Sequence, residues 1–203
     1  MAPTDMIGIG QKSMNNLIIL DRDGVINEDS DAYVKSVDEW IPLSGSIDAI
    51  ARLYQAGYTV VVATNQSGIG RGLFDLDDLE AMHTKLTGLL ADAGAELGGI
   101  FYCPHGPDDG CGCRKPAPGL LNAIASEFEL SLSGVPLIGD SLRDLQAGLA
   151  HHCNPILVRT GKGAKTEPRL VEQRDTELQH AQVFDDLSQV VDYLLATKET
   201  DKQ

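Results

Sequence analysis

The chain has 203 residues, 30 acidic and 16 basic, for a formal charge of −14, with 42% hydrophobic residues. This length and balance suit one globular domain that buries its own core and exclude a disordered tail protein. The acidic surface argues against nucleic acid, which needs a basic footprint, but leaves room for a small anionic substrate met by a few local cations; no apolar run is long enough to span a bilayer.

Residues 1–16 are polar, without a basic start leading into an apolar stretch, and read as an N-terminal extension rather than an export signal. Leu17–Leu20 is a continuous apolar run, the pattern of a buried strand. Ser46–Ala56 repeats apolar residues at helical spacing and is closed by Gly57. Tyr58–Ala63 is a second strand, Asp77–Ala93 a second helix, Gly99–Tyr102 a third strand and Pro118–Phe128 a third helix. Pro136–Ile138 precedes a helix through Leu142–Ala150. Ile156–Val158 and Gln182–Phe184 are further strands, with a last helix from about Asp186 to Ala196. The domain spans 17–197, and 198–203 form a polar tail. Strands alternating with helices predict an α/β fold, a three-layer α/β/α sandwich around a central parallel sheet. Ligands in such sheets bind beyond the carboxyl ends of the strands. The chemically unusual residues of this chain all fall there.

Asp21-Arg22-Asp23-Gly24 follows the first strand. Two carboxylates at the mouth of a sheet can divide the work of nucleophile and proton donor, although Asp and Gly are also ordinary turn residues. Thr64-Asn65-Gln66-Ser67-Gly68 follows the second strand and is either a phosphate cradle or a simple N-cap and turn. Arg114-Lys115 offers a fork and a point charge for phosphoryl oxygens, or solvated surface charge. Asp140 and Asp144, in Gly-Asp-Ser-Leu-Arg-Asp, are a carboxylate for Mg²⁺ and one that orients Lys115 or the metal's waters; Asp140 or Ser141 also suits an N-cap. Cys103, His105, Cys111 and Cys113 fall within eleven residues, a donor set for a closed tetrahedral zinc site rather than for free thiols or a lone disulfide. Asp108 and Asp109 are nearby oxygen donors, which zinc passes over when thiolates are available. Without an export signal, the reducing cytoplasm is the expected compartment.

The order Asp-x-Asp-Gly, Thr-Asn, Lys, Gly-Asp-x-x-x-Asp, each at a strand end, resembles the haloacid dehalogenase (HAD) superfamily of phosphotransferases over roughly Leu17 to Lys162. The strings LDRDGVIN, TNQSGIGRG, YCPHGPDDGCGCRKPAPG, GDSLRDLQAG and LVRTGKG are similar to the D-glycero-D-manno-heptose 1,7-bisphosphate 7-phosphatase family, with histidinol-phosphate phosphatases close behind. The resemblance implies a Mg²⁺-dependent phosphomonoester hydrolase acting on a small sugar bisphosphate in ADP-heptose and lipopolysaccharide core synthesis. In it, Asp21 is the nucleophile and Asp23 the general acid and base. Thr64 and Lys115 steady the phosphoryl oxygens. Mg²⁺ is held by Asp21, the Asp23 carbonyl and Asp140. Arg114, Asp29, Tyr33, Asn65, Gln66 and Ser67 contact substrate, and the Cys/His cluster holds a structural Zn²⁺. It further implies no large cap domain. A monomer with neither nucleic-acid nor membrane partners is expected, since no helix carries a sustained heptad. The zinc loop is short for the family, and Ser141 stands where some members carry Lys; both leave the phosphatase chemistry intact. The competing readings are a histidinol-phosphate phosphatase and a noncatalytic zinc-containing binding module.

Overall fold

The computed structural model describes residues 16–172 and 176–200. A six-stranded sheet forms its centre. The strands are β1 (Leu17–Leu20), β2 (Thr59–Asn65), β3 (Gly99–Cys103), β4 (Pro136–Gly139), β5 (Asn154–Val158) and β6 (Gln182–Phe184). They lie in the order β3-β2-β1-β4-β5-β6 and every pairing is parallel. The helices are α1 (Ser46–Gln55), α2 (Ser67–Gly70), α3 (Leu76–Asp92), α4 (Gly119–Glu127), α5 (Leu142–Leu149), α6 (Gly163–Thr166), α7 (Thr176–Gln179) and α8 (Leu187–Thr200), with a 3-10 turn at Glu167–Arg169.

Strand side chains alternate between the faces, and both faces are covered. Ile18, Leu20, Val60 and Val62 pack with residues of α1, α3 and α8. Leu17, Ile19, Val61 and Ala63 pack with residues of α4 and α5. All four residues of β1 are buried, as a strand at the centre of a doubly covered sheet requires.

The predicted elements are present, with shifted ends. Pro155 lies inside β5, where it pairs with Leu137 of β4; β6 pairs only with Ile156–Val158, so the missing N–H costs no bond on that side. The final helix takes in residues 198–200 of the expected polar tail. Lys198 explains this: its ammonium donates to the Ala56 carbonyl at 2.9 Å and lies 4.0 Å from the centre of the Tyr58 ring. Residues 1–15 of the expected N-terminal extension, and 201–203 of the tail, lie outside the described residues. The short α2, α6 and α7 escape the sequence reading because helices of four residues carry no periodicity.

Candidate active site

The strand order reverses direction at β1, which has β2 on one side and β4 on the other. A crevice opens at the carboxyl ends of strands at such a switch point. Asp21 leaves β1 there and Asp140 leaves β4, with the Asp21 N–H donating to the Ile138 carbonyl at 2.9 Å. Together they line a cavity of about 270 Å³, along with Asp23, Asp144, Thr64 and Arg114.

Lys115 lies beneath the cavity, only 2% exposed. Its ammonium is 2.9 Å from Asp21 Oδ1 and 2.7 Å from Asp144 Oδ1, and donates to the Ala63 carbonyl at 2.6 Å. Asn65 fixes its backbone in both directions: the Asn65 amide donates to the Lys115 carbonyl at 3.1 Å, and the Lys115 N–H donates to Asn65 Oδ1 at 3.0 Å. Asn65, expected on the substrate, is thus committed to placing Lys115. Ser141 commits both its N–H and its hydroxyl to Asp144 Oδ2, at 3.0 and 2.6 Å.

Both bonds to Asp21 fall on Oδ1, from the Arg22 N–H at 2.8 Å and from Lys115. Oδ2 takes neither. Burial pushes the Asp21 carboxyl up to about 7, with Asp144 adding to the rise and Lys115 opposing it. Burial, with Asp144 and Asp21, pushes Asp140 up to about 8. Burial works the same way on Asp144, but Lys115 and Ser141 outweigh it and hold the carboxyl below its usual range. Lys115 in turn keeps its proton despite burial, because Asp144 and Asp21 flank it.

Asp140 is wedged between loops. Its Oδ2 accepts the Lys162 N–H at 2.7 Å, and a Cβ on either Gly24 or Gly161, both at positive φ, would run into that same oxygen. The Lys162 ammonium pairs with Asp29, expected on the substrate, and Thr160 donates to the Gly24 carbonyl at 2.6 Å. Asp29 and Tyr33 both line the cavity, with Tyr33 at positive φ.

Asp23 faces a different set. Arg22, wholly buried, donates to Asp23 Oδ1 at 2.9 Å and to Gln66 Oε1 at 3.1 Å. Asn27 donates to Asp23 Oδ1 at 2.8 Å, and Gln66 to Asp23 Oδ2 and Thr64 Oγ1, both at 2.9 Å. Burial would raise the Asp23 carboxyl; Arg22, Asn27 and Gln66 together hold it below the usual range. Gln66 lines the cavity itself and ties Asp23 to Thr64. Ser67 lines the cavity from the first turn of α2.

Sequence reasoning missed Arg22, Asn27 and Lys162 as site residues. Arg22 and Lys162 stood inside the strings LDRDG and TGKG, but charge alone does not say that a side chain turns inward.

Asp21, Asp140 and Asp144 bring one oxygen each within 4.8 Å of one another, an arrangement able to hold a cation. Both Asp144 oxygens are already committed, which leaves Asp21 and Asp140 facing each other with their carboxyls raised. A hard divalent ion fits that deficit of positive charge. The second cluster, Cys103, His105, Cys111 and Cys113, lies at the end of β3 and is also within 4.8 Å. Cys103 Sγ is 3.7 Å from Cys111 Sγ and 3.6 Å from His105 Nδ1. Cys113 Sγ is 3.2 Å from both Cys103 Sγ and His105 Nδ1, so the donors converge somewhat inside the edge of about 3.8 Å of a tetrahedron with Zn–S of about 2.3 Å, and all four cysteines are free of disulfides. Burial pushes the Cys103 thiol up to about 12, so a cation is needed to draw off its proton.

Two family models match the chain: one described as polynucleotide kinase 3 phosphatase over residues 16–141, and one described as HAD-hydrolase-like over residues 112–190. Fold and site together are those of a HAD-like hydrolase. The chain is 56% identical over 180 residues to the D-glycero-β-D-manno-heptose-1,7-bisphosphate 7-phosphatase of Pseudomonas aeruginosa, covering 89% of this chain and 98% of that one. It is 62% identical over 150 residues to the enzyme of that name from Bordetella bronchiseptica, covering 74% and 84%. The crystal structure of the B. bronchiseptica D,D-heptose 1,7-bisphosphate phosphatase, complexed with magnesium and phosphate, aligns with a TM-score of 0.84 at 55% identity, over 90% of this chain and 99% of that one. The chain belongs to the D-glycero-β-D-manno-heptose-1,7-bisphosphate 7-phosphatase family.

Proposed function

We propose that the protein removes the 7-phosphate of D-glycero-β-D-manno-heptose 1,7-bisphosphate through an aspartyl-phosphate intermediate. The observation that carries this is the placement of Lys115 against Asp21, with Asp140 opposite, at the sheet's switch point. Asp21 Oδ2 attacks phosphorus while Oδ1 stays fixed by Lys115 and the Arg22 N–H. The P–O bond to the sugar breaks, and Asp23 delivers a proton to the departing oxygen. Asp23 then takes a proton from the water that hydrolyses the acyl phosphate, which regenerates Asp21 and releases phosphate. Thr64 and Lys115 meet the equatorial phosphoryl oxygens, where charge builds. Asp21, the Asp23 carbonyl and Asp140 would hold Mg²⁺, whose charge screens the repulsion between nucleophile and phosphate.

Asp23 must be protonated for the first half-reaction, yet Arg22, Asn27 and Gln66 keep it ionised in the free protein. Substrate binding must therefore draw Asp23 away from that set. Anionic Asp23 is the form that the second half-reaction needs. Arg114 receives the phosphate that is not transferred, and Asp29 and Tyr33 receive the sugar. A structural Zn²⁺ on Cys103, His105, Cys111 and Cys113 fixes the loop that carries Arg114 and Lys115.

The reading includes a cytoplasmic monomer without nucleic-acid or membrane partners. Among the described residues, no helix is long and apolar enough to cross a membrane. The relatives above are named for the heptose bisphosphate, which favours this substrate over histidinol phosphate and over a noncatalytic module. The test is phosphate release from the heptose bisphosphate with NMR assignment of the remaining monophosphate. Wild type leaves the 1-phosphate and Asp21→Asn releases nothing; release of the 1-phosphate, or turnover by Asp21→Asn, defeats the proposal.

A further inference from the structure

Three cationic residues line the active-site cavity: Arg114, Arg143 and Lys162. Lys162 is committed to Asp29. The Arg114 side chain makes one bond, 3.4 Å from its Nη1 to the His105 carbonyl, and pairs with no carboxylate among the described residues. Arg143, in the first turn of α5, is exposed, and its side chain makes no hydrogen bond or ion pair among the described residues. This is unusual in a chain with 30 acidic residues, and more so in a cavity that six of them line. Arg143 also lines the adjoining cleft beside the Cys/His loop, again with Arg114 and here with Lys115.

Two guanidinium groups that line the same cavity and the same cleft repel each other, and neither pairs with a carboxylate among the described residues. An anion between them would supply a counter-ion, and a phosphate suits the planar fork of arginine from both sides. Asp21, whose oxygen takes the transferred phosphate, lines the cavity but not that adjoining cleft, which leaves the two arginines shared by both for a second phosphate.

We propose that Arg143 is a specificity-determining residue that grips the non-transferred phosphate together with Arg114. This rests on the reading of the substrate as a sugar bisphosphate. Arg143 then selects bisphosphate over monophosphate and leaves the reacting phosphorus to the floor of the cavity.

The test compares kcat/KM on the heptose 1,7-bisphosphate and on the heptose 7-monophosphate for wild type, Arg143→Gln and Arg143→Lys. Wild type prefers the bisphosphate. Arg143→Gln loses ~10²-fold on the bisphosphate, chiefly through KM, a cost within the range of losing a charge-assisted hydrogen bond. Its loss on the monophosphate is at least tenfold smaller, and Arg143→Lys recovers part of the preference. Equal losses on both substrates, or an unchanged preference, overturn the role of Arg143 while the bisphosphate reading stands. A wild type without preference for the bisphosphate overturns both.

Discussion

Lys115 Nζ lies 2.7 Å from Asp144 Oδ1, closer than the 2.9 Å that separates it from Asp21 Oδ1, and both members of the Lys115–Asp144 pair are buried. Asp144 thus holds the ammonium together with the Ala63 carbonyl, 2.6 Å away, although it is the more distant of the two carboxylates in the mechanism. Asp144→Asn removes the charge and keeps the shape. Losing one partner of a buried ion pair costs roughly 3 kcal/mol or more. Urea unfolding should show that loss, and kcat should fall by at least about tenfold as Lys115 loses its placement. Unchanged stability and turnover would show that Asp21 alone suffices to hold Lys115.

Asp23→Asn tests the proton transfer. Turnover should drop by at least ~10²-fold, the scale of general acid–base catalysis. The wholly buried Arg22 loses its counter-ion in the same variant, so stability should fall too, by roughly 3 kcal/mol. Rate and unfolding measured together separate the two effects: full turnover in a destabilised variant would remove Asp23 from the chemistry.

Asp21 and Asp140 give the metal-free protein a particular pH dependence. Their carboxyls are raised to about 7 and about 8 by burial. Each holds its proton longer when folded than when unfolded. Their contribution to stability is therefore complete below about pH 4 and is lost as pH rises through about 7 to 8. Asp23 and Asp144 are held low and act in the opposite sense, but their contribution is already complete above about pH 4 and stays constant across that window. The thermal midpoint in Mg²⁺-free buffer should fall between about pH 5 and pH 8. Added Mg²⁺ should raise it more at the upper pH, because the ion binds ionised carboxylates. Calorimetry with and without Mg²⁺ checks this, and an equal Mg²⁺ effect at both pH values contradicts it.

Cys111→Ser should leave the Cys/His loop without a full donor set for the proposed zinc. Arg114 and Lys115 directly follow Cys113, so their positions depend on that loop. Metal content by mass spectrometry should fall below one zinc per chain, with a lower thermal midpoint and reduced kcat/KM. A variant without zinc that keeps its midpoint would show that the loop holds itself.

Most of this site is legible in the sequence, for a topological reason. A parallel sheet delivers the ends of all its strands to one edge, so residues that follow apolar runs meet whatever their distance along the chain. Asp21, Thr64 and Asp140 are brought together in this way, whereas Lys115 stands well past the end of β3 and is carried in by the loop that precedes α4. The four metal-loop donors are legible because they are close in sequence, and spacing alone then bounds their separation.

The partners of each side chain are not legible in that way. Asn65 and Gln66, expected on the substrate, line the cavity, and nothing in the sequence signals that they also bond Lys115, Asp23 and Thr64. Asp29 and Lys162 are 133 positions apart, and nothing local marks them as a pair. Arg22, Arg143 and Lys162 look alike as letters, yet one is wholly buried against Asp23, one is exposed with no side-chain partner among the described residues and one bridges two loops. Hydrophobic runs fix the strands and strands fix the edge, so the order of residues is enough to say which groups stand at that edge. Which charges neutralise one another, and which face the cavity, is settled by folding, because it depends on distances between loops that no periodicity encodes.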